Sequence, residues 1–123
     1  YPTPDGRCIR DYIHVSDLAN AHVLALRHLL SGGDDQVLNC GYGRGYSVRE
    51  IIDAVARACG RPVPTTIGAR RPGDVARLVA DGGRLNALFG WTPRYRDIET
   101  IITSAYEWEK LQFFPATDSI ENL

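Results

Sequence analysis

Apolar and polar positions along this chain change period several times, and each change marks an element. Tyr1 to Arg7 is turn-rich, with Pro2, Pro4 and Gly6. Cys8 to Val15 reads as a strand, whose two-residue repeat puts Arg10 and Tyr12 on one face and Asp11 and Ile13 on the other. Ser16 then caps a helix to about Leu30, with Leu18, His22, Leu26 and Leu29 along one face, and Gly32 and Gly33 end it. Gln36 to Cys40 predicts a short strand, and Gly41 to Gly45 a glycine-rich loop. Ser47 and Glu50 form a capping box that opens a helix to about Cys59, stopped by Gly60 and Pro62. Val63 to Ile67 reads as extended, Arg70 to Asp74 as a turn, and Leu78 to Ala80 as a brief strand. A short helix over about Gly82 to Phe89 is capped by Asp81 and ended by Gly90. A last helix, about Asp97 to Leu111, places Ile98, Ile101, Ile102, Ala105 and Trp108 on one face. From Phe113 the period is lost and a frayed tail, 113–123, is expected beyond a domain over 1–112. Four helices with so few strands give the class α+β rather than a free-standing doubly wound sheet.

Composition narrows the partners. The 123 residues suit one domain, able to bury roughly two-thirds of its unfolded surface. A net charge of −1 gives no electrostatic case for nucleic acid or an anionic membrane. No apolar run approaches the roughly 20 residues that span a bilayer. The start has neither a Met nor the basic and apolar stretches of a signal peptide, so a chain cut from something longer is expected. Cys8, Cys40 and Cys59 are odd in number and far apart, which suits reduced thiols in the cytoplasm. His14, His22 and His28 lack metal-ligand spacing.

Two motifs point to a cofactor and fail. Gly41-Tyr42-Gly43-Arg44-Gly45 lies between a strand and a capped helix, where a dinucleotide loop would lie. The third glycine of that pattern is replaced by Tyr46, and no acidic residue ends the next extended stretch to hold a ribose. Tyr106 and Lys110 have the Tyr-x-x-x-Lys spacing that lowers a catalytic tyrosine's pKa in some dehydrogenases. Any helix places i and i+4 side by side, and a solvated helix face is the better reading here.

Two others suit a site. Arg10 and Tyr12 offer a guanidinium beside a phenol, fit for a phosphorylated sugar; an exposed strand face with Arg10 paired to an acid fits the pattern equally. Arg70-Arg71-Pro72-Gly73-Asp74 brings guanidinium groups and a carboxylate to one turn. Arginine can fork onto a diphosphate, and an ionised Asp can accept from ribose hydroxyls. Pattern by itself leans to a surface turn with a local Arg–Asp pair.

Residues Tyr1 to Ala19, Asn39 to Val48, Arg70 to Asp74, Ala80-Asp81 and Gly90-Trp91 resemble, in order and at fitting spacing, segments of the bacterial UDP-glucose 4-epimerases, members of the extended short-chain dehydrogenase/reductase group. The resemblance covers about residues 1–110. It implies the small C-terminal substrate-binding domain of a two-domain enzyme, without the N-terminal Rossmann domain that holds NAD and the catalytic Tyr-x-x-x-Lys. Such enzymes oxidise the sugar at C4, let the 4-keto sugar rotate, and return the hydride to its other face. They interconvert UDP-galactose and UDP-glucose, are homodimers, and hold UDP firmly while holding the sugar loosely. The resemblance assigns Arg10 and Arg71 to the diphosphate, Tyr12 beside it, and Val48 and Asp74 to the uridine; it assigns no catalytic or NAD-binding residue to this chain, which alone should be inactive. A UDP-arabinose or UDP-N-acetylhexosamine 4-epimerase, or a non-catalytic nucleotide-sugar module, are the alternatives. Arg7, Cys40 and Gly82-Gly83-Arg84 depart from the family pattern, the glycines at about 1 kcal/mol each if interior to a helix.

Overall fold

The computed structural model describes residues 1–113, in which four helices surround a three-stranded sheet. The elements are β1 (Ile9–Asp11), α1 (Val15–Leu30), β2 (Gly45–Ser47), α2 (Val48–Cys59), β3 (Arg77–Leu78), α3 (Gly83–Phe89) and α4 (Ile98–Phe113). This is the expected α+β class. β1 is central, antiparallel to β2 with Arg10 opposite Tyr46, and parallel to β3 with Arg10 beside Leu78. α4 lies along α2 and α3 against α1. No described helix is long and apolar enough to cross a membrane. Of the tail expected from Phe113, that residue closes α4 and the rest lies outside the described residues.

Local signals hold where they are self-contained. Ser47 Oγ accepts from Glu50 N and the Glu50 carboxylate accepts from Ser47 N, completing the capping box at α2. Gly60 ends that helix at φ 68°, in the left-handed region that favours glycine. At α3 the expected cap is corrected: the helix starts at Gly83 and its cap is Gly82, which has no side chain to cap with, while Asp81 Oδ1 accepts from Gly83 N at 2.9 Å just outside it. A side chain on Gly82 would meet the Gly41 carbonyl oxygen at 2.8 Å, so the glycines that weaken this helix start admit a close backbone crossing.

Four expectations need correction. The strand predicted over Cys8 to Val15 is only Ile9–Asp11, because α1 already begins at Val15. The cap of α1 is His14, not Ser16: His14 Nδ1 accepts from Ser16 N at 3.0 Å, which leaves the ring proton on Nε2, 3.0 Å from Ser104 Oγ of α4. The buried residues of α1 are Asp17 and Ala21, while Leu26 and Leu29 are exposed. On α4, Ile98, Ile101 and Ile102 are half-buried, but Ala105 and Trp108 are exposed. The other strand predictions also shift. Gln36 to Cys40 forms no strand; Leu38 and Cys40 pack on the core and Val37 faces out. The brief strand expected at Leu78 to Ala80 is Arg77–Leu78.

The core is built on Ala21, Leu85 and Trp91, with Ile13, Leu24, Leu38, Cys40, Tyr42 and Phe89 against it. Asp17, 2% exposed, sits beside it. Its carboxylate accepts from the Tyr42 hydroxyl at 2.5 Å and from the amides of Arg94 and Tyr95, and its carbonyl accepts from Trp91 Nε1. Burial alone would raise the Asp17 pKa, but the Tyr42 hydroxyl and the two amides outweigh it and hold the carboxyl below its ordinary value. Burial and the same hydrogen bond push the Tyr42 phenol up to about 12.

Candidate functional site

A cavity of about 630 Å³ opens between the chain's first residues, β1, the start of α2 and the 65–74 segment. Its size lies within the range of small-molecule sites. Each wall follows from a local feature. The pleat of β1 turns Arg10 toward the cavity and Asp11 away from it. The capping box sets Val48 as the first residue of α2, and Val48 N donates to the Cys8 carbonyl at 3.2 Å, fixing helix to strand. The turn at Pro72-Gly73 folds Asp74 back, with Asp74 N donating to the Arg71 carbonyl at 3.3 Å.

Arg10, Val48, Arg71 and Asp74 therefore share one cavity, although they lie far apart in sequence. Tyr12 does not line it; it follows β1 and is half-buried, and burial first, then the Cys8 thiol, pushes its phenol pKa up. The carboxylate of Asp74 pairs with Arg10 from the neighbouring strand rather than with its own turn. Arg10 Nη1 also donates to the Ile9 carbonyl at 2.7 Å. The second Asp74 oxygen accepts from the Tyr1 hydroxyl at 2.6 Å. That bond leads, with the Arg10 and Arg71 charges, in holding the Asp74 carboxyl below its ordinary value, against a smaller desolvation effect. Arg70 Nη2 donates to the Asp74 carbonyl at 2.9 Å, and its guanidinium covers the Tyr1 ring at 4.5 Å.

Five arginines (7, 10, 49, 70 and 71) line the cavity against two aspartates, Asp53 and Asp74. Arg71 has no ion-pair partner among the described residues. A half-enclosed space with this cation excess suits an anion with hydroxyl groups attached. Sequence reasoning missed Tyr1, Arg7, Arg49 and Asp53. Tyr1 carried no signal, because its partner lies 73 positions away.

The glycine loop is not a phosphate cradle. Two of its amides are already taken: Asp11 accepts from Tyr42 N at 3.2 Å and from Gly43 N at 3.0 Å, and also from Ala80 N outside the loop. Tyr46, where the third glycine would stand, is buried. These residues do not fit a dinucleotide. Lys110 on α4 lies 3.0 Å from Glu107 and over the Tyr106 ring at 5.5 Å, an exposed helix-face arrangement, as the spacing suggested.

Residues 2–41 match the NAD dependent epimerase/dehydratase family. The chain is 54% identical over 110 residues to the UDP-glucose 4-epimerase of Azospirillum brasilense, covering 89% of this chain and 32% of that protein. Among solved structures, the Bifidobacterium longum UDP-glucose 4-epimerase in complex with NAD+ and UDP aligns at 41% identity and a TM-score of 0.79, covering 89% of this chain and 32% of the other. The UDP-glucose 4-epimerase of Stenotrophomonas maltophila, with bound NAD and formylated UDP-arabinopyranose, aligns at 41% identity and a TM-score of 0.83, covering 91% and 33%. The chain spans about a third of the length of the relatives it matches. By sequence and by fold it is a relative of the UDP-glucose 4-epimerases over that third.

Proposed function

We propose that this chain is the C-terminal, UDP-sugar-binding portion of an NAD-dependent UDP-glucose 4-epimerase, which interconverts UDP-galactose and UDP-glucose through a 4-keto intermediate. The observation that carries the reading is the single cavity shared by Arg10, Val48, Arg71 and Asp74, rich in guanidinium groups and bounded by one apolar helix start. Arg10 and Arg71 neutralise the diphosphate, Arg71 being one of the cavity's guanidinium groups, with Arg7, Arg49 and Arg70, that have no ion-pair partner among the described residues. Val48 packs on the uracil and Asp74 accepts from the ribose. Tyr12 lies outside the cavity wall and supports the strand that carries Arg10. No residue of this chain acts on the sugar carbon, so the piece alone is inactive.

NAD belongs to a Rossmann domain of the same protein; the glycine loop here turns two of its amides to Asp11 instead. The outer face of α1 supports such a partner. Val15, Leu26, Leu29 and Leu30 are exposed there, and Val37 stands 90% exposed on the segment that follows α1. We read the whole protein as a cytoplasmic homodimer with no nucleic-acid or membrane partner.

The test is direct. The complete protein, supplied with UDP-galactose, should form UDP-glucose; failure to form it defeats the reading. A neighbour with formylated UDP-arabinopyranose bound favours a second reading, a UDP-arabinose 4-epimerase. Competition between UDP-galactose and UDP-arabinose for one preparation separates the two.

A further inference from the structure

The Asp74 carboxylate is held from two sides. One oxygen meets Arg10 and the other accepts from Tyr1 at 2.6 Å. These holds are not equivalent once a ligand arrives. Arg10 is the group that a diphosphate would claim, and a guanidinium turned toward phosphate oxygens loosens its grip on a carboxylate. Tyr1 is a neutral donor with no such competing role. Its place is fixed by other contacts: its carbonyl accepts from Thr3 N at 2.9 Å, and Arg70 covers its ring at 4.5 Å. Arg70 in turn donates to the Asp74 main chain, so the ring is clasped by the same turn that it steadies.

We infer that Tyr1 is a positioning residue for nucleotide recognition, keeping the Asp74 carboxylate aimed at the ribose hydroxyls when the diphosphate occupies Arg10. The inference rests on the reading of Asp74 as a uridine contact. A carboxylate has about four lone-pair sites. One donated bond from Tyr1 therefore leaves sites open for two hydroxyls. An unanchored carboxylate would have to be ordered at the expense of binding.

The experiment measures dissociation constants of UDP, and of a UDP analogue lacking both ribose hydroxyls, for the complete wild-type protein and for Tyr1→Phe. Phenylalanine keeps the ring under Arg70 and removes only the hydroxyl. Tyr1→Phe should weaken UDP about tenfold, the scale of a hydrogen bond to a charged group, and leave the analogue within about twofold. Asp74→Asn should erase the wild type's preference for UDP over the analogue. Equal losses for both ligands in Tyr1→Phe would make Tyr1 a purely structural residue and overturn the inference, as would no loss for either. A wild type that binds UDP but does not prefer it to the analogue removes Asp74 from the ribose, and Tyr1 with it. A wild type blind to UDP defeats the underlying reading itself.

Discussion

Asp17 and Asp74 are both held below the ordinary carboxyl value, each by a tyrosine hydroxyl, but in surroundings of different exposure and charge. Asp17 is 2% exposed and meets only neutral donors: a phenol and two backbone amides. Asp74 lines an open cavity, where its side chain keeps 28% exposure and, beside the Tyr1 hydroxyl, faces the guanidinium groups of Arg10 and Arg71. The first environment joins α1, the 42 loop and the 94–95 segment into a frame. The second leaves charge accessible to a ligand. A depressed pKa by itself therefore does not mark a site; the exposure of the carboxylate and the charges around it do.

The sharpest break in that comparison is Asp17→Ala. It strips three donors of one buried acceptor and should cost about 3 kcal/mol of stability, read by denaturant unfolding. Its pH dependence follows from the sign of the shift. A depressed carboxyl stabilises the fold above its unfolded value, about pH 4, and loses that contribution as pH falls through the lower folded value. The gap between wild type and Asp17→Ala should accordingly be widest above about pH 4 and close on acidification; a gap constant down to acid would mean that Asp17 is not ionised in the fold.

Arg71→Ala tests the other environment. UDP should bind more weakly by roughly 2 kcal/mol by calorimetry, with the unfolding midpoint almost unmoved. An unchanged dissociation constant removes Arg71 from the site. Tyr42→Phe is milder than Asp17→Ala, because only one donor to Asp17 is lost, and about 1 kcal/mol of stability should go with it. With its phenol raised to about 12, Tyr42 favours the fold below about pH 10, and that contribution falls away as pH rises toward 12. The smallest effect belongs to Arg57→Ala at the exposed ion pair between α2 and α4, where the melting temperature should barely move.

What could be read in the sequence was what neighbours along the chain determine. The Ser47–Glu50 box and Gly60 delimited α2 because each signal acts within one turn of helix. β2 escaped notice because Gly45-Tyr46-Ser47 has no pattern of its own and is a strand only by pairing with β1. The stripe of α1 was misread because periodicity counts apolar residues, and the position most deeply buried there is an acid. The same division holds at the cavity. Arg10, Arg71 and Asp74 stood out as chemistry, but the Arg10–Asp74 pair spans 64 positions and Tyr1–Asp74 spans 73, distances over which spacing carries no information.

The loop after Cys40 wraps its amides around Asp11, which reaches them from the neighbouring strand. That is an anion site whose occupant is covalently tethered, so its effective concentration never falls with dilution and no ion in solution can displace it. The segment leading into Val48 should thus keep its shape from low salt to high. The arginines across the cavity have no such resident guest, and their attraction for a ligand weakens as ionic strength rises. The support behind the site is buffered against its surroundings, while the cavity itself remains responsive to them.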